Sequence, residues 1–148
     1  MQPRKTLRDD ARRMVESCAG WNSRLAARRI TQFLDRELVG LGMSVAQLGL
    51  MAEIAVIADD RLGALAGRTG LDQSTLSRNL RTLEREGLIE IAMVETDLRR
   101  RSVWLTEKGA RRLEAAIPAW RKAHARLAKR LEPRAARNLA MATEGLRG

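Results

Sequence analysis

The stretch from Arg61 to Thr106 constrains this 148-residue chain most, because it places two short helical patterns on either side of a glycine turn. The apolar face of the first pattern consists of Leu62, Leu65 and Ala66, and that of the second of Leu76, Leu80 and Leu83. Gly70 permits the tight turn between them, and Asp72 is a helix N-cap residue. Gly87 stands where a left-handed C-terminal cap is expected. The pattern predicts a helix-turn-helix.

The second helix also has a polar face with two arginines. Its candidate DNA-contacting residues are Gln73, Ser74, Thr75, Ser77, Arg78 and Arg81. A major groove accepts such a face, in which arginine side chains contact base edges or phosphates and Gln73 reaches an adenine edge. The alternative is an ordinary solvated helix surface, with Arg81 free in water or paired with Glu84 one turn along.

A strand–loop–strand pattern follows the second helix. Leu88–Ile91 and Ser102–Leu105 are short apolar strands, and the loop between them contains Asp97–Arg101 with three successive arginines. The positive charges of these arginines repel one another unless anions neutralise them or water screens them. A ribbon that ends in arginines beside a reading helix is typical of a winged helix, whose wing reaches an adjacent minor groove.

Four motifs in register resemble those of MarR-type winged-helix transcriptional regulators: Gly70–Leu80, Leu83–Ile89, Asp97–Arg99 and Leu105–Gly109. The similarity extends from about Met14 to the C-terminus. The resemblance implies a mainly α fold with a small β-hairpin wing, in which the first and last helices form a homodimer. It also implies that two winged helices lie below that dimer.

The resemblance assigns roles to individual residues. It supports DNA contacts best at positions 74, 75, 77 and 78, and it implies that Asp97 steadies Arg99 for the minor groove. Arg100 and Arg101 are alternative candidates for the same contact. Where relatives often carry an arginine after the glycine–leucine–aliphatic turn, this chain has Glu90 and Ile91, so one phosphate contact is absent from the pattern.

Both ends of the chain carry apolar stripes. We expect a loose arm up to Asp9, a single helix over residues 10–39, and a helix from residue 44 that buries Leu48, Met51, Ala52 and Ala55. After Thr106 a heptad-like seam is formed by Leu113, Ile117, Trp120, His124, Leu127 and Leu131. One domain (residues 1–148) is predicted, with dimerisation helices at 10–42 and 106–148 and a winged-helix DNA-binding unit at 44–105. A two-fold dimer would hold two reading helices roughly 34–36 Å apart on a pseudo-palindromic duplex.

Two regulatory sites are possible. The first is an effector pocket for a small, often aromatic and anionic molecule, which the resemblance implies. Its candidate residues are Trp21, Arg24, Arg28, Met51, Trp120 and His124. The alternative is that the tryptophans and His124 only pack between helices.

The second possible regulatory site is Cys18, either a small hydrophobe of the apolar stripe or a thiol that senses oxidants. The helper tyrosines of peroxide-sensing relatives cannot exist here, because the chain has no Tyr.

Composition excludes several classes of function. The formal charge of +10 favours a polyanionic partner, and 3% aromatic residues argue against a base-stacking surface for single strands. Without an apolar run long enough to cross a bilayer and without a signal-peptide pattern, we expect a cytoplasmic protein that does not enter the membrane. One histidine, one cysteine and no metal-binding or phosphate-cradling motif argue against an enzyme, a cofactor or a metal site.

The sequence therefore predicts a homodimeric regulator that binds double-stranded DNA and, as a repressor, leaves its operator when an effector binds. A redox-sensing regulator acting through Cys18 is one alternative. Two others are a regulator without any ligand and a basic helical scaffold that binds acidic protein or membrane surfaces.

Overall fold

The computed structural model describes the backbone of residues 4–94 and 97–146, and the side chains of residues 4–93 and 101–146. Helices and a two-stranded antiparallel sheet make up this part of the chain, with short 3-10 turns at Val39–Leu41 and Glu144–Leu146. The elements are α1 (Lys5–Ser17), α2 (Ala19–Glu37), α3 (Val45–Val56), α4 (Leu62–Thr69), α5 (Gln73–Arg85), β1 (Ile89–Val94), β2 (Asp97–Leu105), α6 (Glu107–Leu127) and α7 (Ala135–Ala142).

The predicted single helix over residues 10–39 is wrong, because Cys18 divides it. Cys18 adopts an extended conformation (φ −67°, ψ 112°), and its Sγ accepts the backbone N–H of Trp21 at 3.5 Å as the N-cap of α2. The side-chain amide of Asn22 donates to the carbonyl oxygens of Val15 and Glu16 at the end of α1 and to that of Cys18, which also accepts the Asn22 backbone N–H. The expected loose arm is wrong for residues 5–9, which belong to α1, and residues 1–3 lie outside the described residues.

Helix α3 begins with the predicted capping box, in which the Ser44 hydroxyl accepts the Gln47 N–H and the Gln47 side chain accepts the Ser44 N–H, both at 3.1 Å. Its buried residues are Leu48, Leu50, Met51 and Ile54. The prediction that Ala52 and Ala55 are buried is wrong, because both are exposed. Helix α3 is apolar nearly all round, so spacing alone does not identify which face packs inward.

Two hydrophobic cores lie on either side of α3. The winged-helix core joins α3 to α4, α5 and the hairpin, and its most buried members are Met51, Leu65, Leu83, Leu88 and Val103. The helical core joins α3 to α2 and α6, and its buried members are Leu34, Leu38, Leu48, Ala116 and Ala123. Helix α3 therefore connects the unit that carries α5 to the long helices.

The hairpin packs against this unit with one apolar face. Ile89 pairs with Leu105 and Ile91 with Val103, so these four side chains share the face that meets the winged-helix core. The segment before α4 extends the sheet, since the Val103 N–H donates to the Asp60 carbonyl oxygen at 2.9 Å. The predicted strands are correct in position but shorter than those observed.

The start of α6 is seated directly on the end of α5. The Thr106 hydroxyl donates to the Gly87 carbonyl oxygen at 2.6 Å and accepts the N–H of Gly109 at 3.0 Å, while the Thr106 N–H donates to the Leu88 carbonyl oxygen. A Cβ on Gly109 would lie 1.9 Å from the Leu88 carbonyl oxygen. Only glycine permits this approach, because the obstructing atom belongs to the backbone.

The predicted seam of α6 coincides only in part with the face that is buried within the chain, since Leu113 and Leu127 pack against the helical core. Ala116 and Ala123 are 1% exposed and pack in the helical core, whereas Ile117 and Trp120 are 39% and 42% exposed. Ala116 and Ala123 are small and let α6 approach α2 and α3 closely, whereas the larger Ile117 and Trp120 lie at the edge of that contact.

We expect Gly109→Ala to lower the free energy of unfolding by about 1–3 kcal/mol, because the new methyl group cannot be accommodated without moving Leu88 or α6. Gly67→Ala is the matched control: a Cβ there meets nothing within 4 Å. In helix α4 that change should stabilise the protein by roughly 0.5–1 kcal/mol. Urea unfolding followed by circular dichroism measures both, and equal effects of the two substitutions would contradict the proposed contact.

Candidate nucleic-acid interface

The N-terminus of α5 is organised by Asp72. Its carboxylate accepts the Thr75 N–H at 2.8 Å, the Ser74 hydroxyl at 2.8 Å and the Thr75 hydroxyl at 2.9 Å. The hydrogen bond from the Thr75 backbone, followed by those from the Ser74 and Thr75 side chains, lowers the pKa of Asp72 from 3.8 to about 2. Two of the candidate DNA-contacting hydroxyls, those of Ser74 and Thr75, therefore also hold the helix start in place.

The remaining candidates on α5 present an exposed polar surface. Gln73, Ser77, Arg78 and Arg81 are all exposed, and the opposite face buries Leu76, Leu80 and Leu83 as predicted. The Arg78 guanidinium donates to the Thr75 hydroxyl at 3.5 Å, one turn back towards the helix start. Both Arg81 and Glu84 have described side chains, and no ion pair joins them.

The β-hairpin lies beside the exposed polar face of α5. Arg101 is exposed and pairs with Met93 in the antiparallel register, on the same face of the sheet as Val103. An open cleft of about 1220 Å³ lies between α4, α5 and β2, and Gln73, Ser77 and Arg101 all line it. The structure thus brings one wing arginine and the reading helix around one concave surface. The side chains of Asp97, Arg99 and Arg100 lie outside the described residues.

Sequence reasoning missed Arg61, a further cation on this cleft. Its Nε donates to the two carboxylate oxygens of Asp59 at 2.8 and 2.9 Å, and this hydrogen bond is the main reason why the pKa of Arg61 is raised. The guanidinium also contacts Asp59 through Nη2. The Asp59–Asp60–Arg61 run in the sequence marks a turn but does not indicate that the arginine faces α5.

Within one chain, the candidate effector residues lie at three separate places, and only Trp120 and His124 are brought together. Met51 is fully buried in the winged-helix core, whereas Trp21, Arg24 and Arg28 are exposed on α2. Trp120 lines a separate cleft between α3 and α6, and His124 stacks on its ring with 4.1 Å between ring centroids.

The cleft between α3 and α6 has a volume of about 380 Å³ and a mostly apolar lining. The residues that line it are Val45, Leu48, Gly49, Ala52, Ala55, Val56, Leu113, Ile117, Trp120 and Arg121. Its size lies within the range of small-molecule sites. Ala52 and Ala55, which the sequence-based prediction placed in the core, belong to the wall that α3 contributes.

Cys18 is half-buried and belongs to neither hydrophobic core. Its observed role is to cap α2. Among the described residues, no group of three or more His, Cys, Asp or Glu side chains is arranged to hold a metal ion. Within the same part of the chain, no helix has the length and apolar character needed to span a membrane.

Comparison with known proteins identifies the relatives of this arrangement. The MarR family sequence model matches residues 41–100. The crystal structure of the M. tuberculosis transcriptional regulator MosR in complex with DNA is 33% identical and covers 89% of this chain and 100% of its own, with a TM-score of 0.74.

The chain belongs to the MarR family. It is a DNA-binding transcriptional regulator with a winged-helix fold, and the family is one of regulators rather than a class of enzymes.

Two more distant MarR-family structures share the fold. The S. aureus MepR–DNA complex is 23% identical, with a TM-score of 0.67, and covers 86% of this chain and 96% of its own. CouR from Rhodococcus jostii bound to p-coumaroyl-CoA is 19% identical, with a TM-score of 0.68, and covers 89% of this chain and 93% of its own. No sequence among the curated proteins matches the chain.

The lowered pKa of Asp72 predicts how the start of α5 responds to acid. Because the folded pKa lies below the ordinary value of 3.8, the stabilisation by the carboxylate is complete above about pH 4 and is lost as the pH falls through about 2. We expect Asp72→Asn, which retains a neutral cap, to lower the thermal midpoint at pH 7 and to match the wild type as the pH approaches 2. Asp72→Ala should be destabilised across the whole range. An Asn variant whose deficit does not change with pH would contradict this role.

Proposed function

We propose that this protein is a homodimeric repressor that reads a pseudo-palindromic operator with α5 and releases it when a small molecule occupies the cleft between α3 and α6. The observation that carries the first part is the cleft on which Gln73, Ser77 and Arg101 converge. Gln73 and Ser77 are the reading residues, Arg78 contacts a base edge or a phosphate, and the wing arginines approach the minor groove. Such a regulator works in the cytoplasm, where the chromosome lies.

Exposed apolar side chains at both ends of the chain support the homodimer. On α1 and α2, Met14 is 71% exposed and Trp21 58%, and near the C-terminus Met141 is 54% and Leu146 80% exposed. Helices α1 and α7 contain no buried residue. Exposed apolar surface on this scale marks an interaction site, and two interlocked copies would cover both ends at once.

The position of the α3–α6 cleft supports release by an effector. One wall belongs to α3, which packs in both cores and so carries the winged-helix unit, and the other belongs to α6, which packs in the helical core. A ligand between the two walls changes how the winged-helix unit is held against the long helices. The spacing of the two α5 helices then departs from one turn of DNA, and the operator-bound population falls.

The chemistry of the cleft favours a small aromatic carboxylic acid. Trp120 and the aliphatic side chains around it suit an aromatic ring, and Arg121 supplies a cation for the carboxylate. The structural relative CouR was crystallised with p-coumaroyl-CoA, which contains an aromatic acyl group. The thiol-sensing alternative through Cys18 stays a prediction.

Operator binding tests the role of Arg78. After duplexes are recovered from a random pool, Arg78→Ala should weaken binding to the selected sequence by about 1–3 kcal/mol and reduce the preference over random DNA. Arg85→Ala is the matched control. Arg85 lies on the same helix and makes an equivalent 3.5 Å contact, to Thr82, but is two turns further from the helix start. Two chains per duplex are expected. Equal losses in the two variants, or one chain per duplex, would contradict the proposal.

Filling the α3–α6 cleft tests the effector site. We expect Ala52→Phe to abolish binding of aromatic carboxylic acids such as salicylate, since the new ring occupies the cleft. Ala125→Phe, on the exposed side of α6, is the matched control. Quenching of Trp120 fluorescence reports binding, with Trp120→Phe to assign the signal. Undiminished quenching in Ala52→Phe would overturn the site.

A further inference from the structure

The positive charge of this protein does not lie in its DNA-reading unit. Residues 44–105 contain eight arginines and no lysine against nine aspartates and glutamates, a net charge of −1. Residues 1–43 contain nine Lys and Arg against five acidic residues, and residues 106–148 eleven against four, which give +4 and +7. The whole excess of +10 therefore belongs to the helical ends.

Most of that charge is concentrated in one stretch, residues 121–137, here called the basic segment. Its cationic side chains, all of them exposed, are Arg121, Lys122, Arg126, Lys129, Arg130, Arg134 and Arg137. Glu132 is the only acidic residue of the segment. Among the described side chains, the one ion pair of the segment joins Arg126 to Glu37 at 2.9 Å and leaves the other six cations without one.

The basic segment is remote from α5. Thr106, at the start of α6, is hydrogen-bonded to Gly87 just beyond the end of α5, and the helical rise of 1.5 Å per residue puts Lys129 roughly 35 Å further along. Charges in water at physiological salt are screened over about 8 Å. A duplex seated on α5 therefore does not neutralise the basic segment, which stays free to bind a second polyanion.

The composition of the segment identifies the kind of polyanion. Between residues 121 and 137 no large hydrophobic side chain is exposed, whereas a helix that binds a membrane surface inserts apolar side chains. The segment also contains no aromatic residue besides His124, so it offers no platform for unpaired bases. Arginines and lysines without exposed apolar or aromatic side chains among them suit the phosphate backbone of double-stranded DNA, which they bind without reading sequence.

We propose that the basic segment binds a second DNA duplex, so that the protein bridges an operator held by α5 and a distant stretch of DNA. Dimerisation would double the charge of this surface. Six unpaired cations are costly to bury between two copies, which favours a dimer that leaves them accessible. The bridging function goes beyond operator recognition and rests on the proposed binding of the operator by α5.

A two-duplex capture experiment tests this inference. Selected operator DNA is immobilised, wild-type protein is added, and capture of a fluorescent random-sequence duplex is measured against salt concentration. We expect capture by the wild type and a loss of at least about tenfold in the triple variant Lys122→Gln, Lys129→Gln, Arg130→Gln. The salt slope for the second duplex should fall by about 2–3.

A control variant distinguishes bridging by the basic segment from a general effect of net charge. The triple variant Arg8→Gln, Arg29→Gln, Arg36→Gln loses the same charge from exposed arginines of α1 and α2, and it should keep capture of the second duplex within about threefold. Circular dichroism checks that both variants are folded. Operator retention measured alone should be unchanged in the basic-segment variant and weakened by Arg78→Ala, so failure of operator recognition is distinguishable from failure of bridging.

Three results would overturn the inference. The first is wild-type protein on immobilised operator that captures no second duplex. The second is equal loss of capture in the two triple variants, which would make net charge responsible. The third is retention of the wild type on vesicles containing anionic phospholipid, lost in the basic-segment variant, without capture of the second duplex. That result would assign the segment to a membrane surface.

Discussion

The rest of the structure depends on the contact between the start of α6 and the end of α5. Because Gly109 has no side chain, the α6 backbone can approach the Leu88 carbonyl oxygen closely. The Thr106 hydroxyl caps α6 and also donates a hydrogen bond to the Gly87 carbonyl oxygen. Lys108 adds a 2.8 Å hydrogen bond to the Glu86 carbonyl oxygen. Acceptors at the end of the reading helix are thus satisfied by the first residues of the long helix, and the two helices are fixed relative to each other.

Helix α3 supplies the second connection between the winged-helix unit and the long helices. It contributes to both cores, but an apolar cleft rather than packed side chains separates part of it from α6. Further along, Arg112 donates to the Leu41 carbonyl oxygen at 2.7 Å and Arg126 pairs with Glu37, so α6 is held firmly to the end of α2. The cleft between α3 and α6 is where the proposed effector would act on this arrangement.

Local chemistry determines which features could be predicted from the sequence. The N-cap at Asp72, the capping box at Ser44 and the glycine turns at Gly70 and Gly87 were all predictable, because each depends on neighbours within a few residues. The leucines of α5 were predictable for the same reason, since polar residues on the opposite side leave one face for the core.

The unsuccessful predictions concern contacts that the local pattern does not contain. The periodicity of the first forty or so residues continues through Cys18, and only the bonds made by Asn22 and the thiol show that the helix ends there. Helix α3 is apolar nearly all round, so Ala52 and the buried Met51 look equivalent until the elements that pack against α3 are in place. The wing register places Arg101 beside α5, a relation that no spacing within the loop contains.

The uneven distribution of charge affects how fast DNA is found. A reading unit with a net charge of −1 gains little from the long-range field of a duplex, whereas ends of +4 and +7 are drawn towards it. Diffusional encounter is then governed by helices that read no bases, and its rate falls steeply with ionic strength. The lifetime of the specific complex depends instead on short-range contacts of α5, which salt affects less. In the proposed regulator, encounter and retention are therefore separate properties, set by the charged helical ends and by α5 respectively.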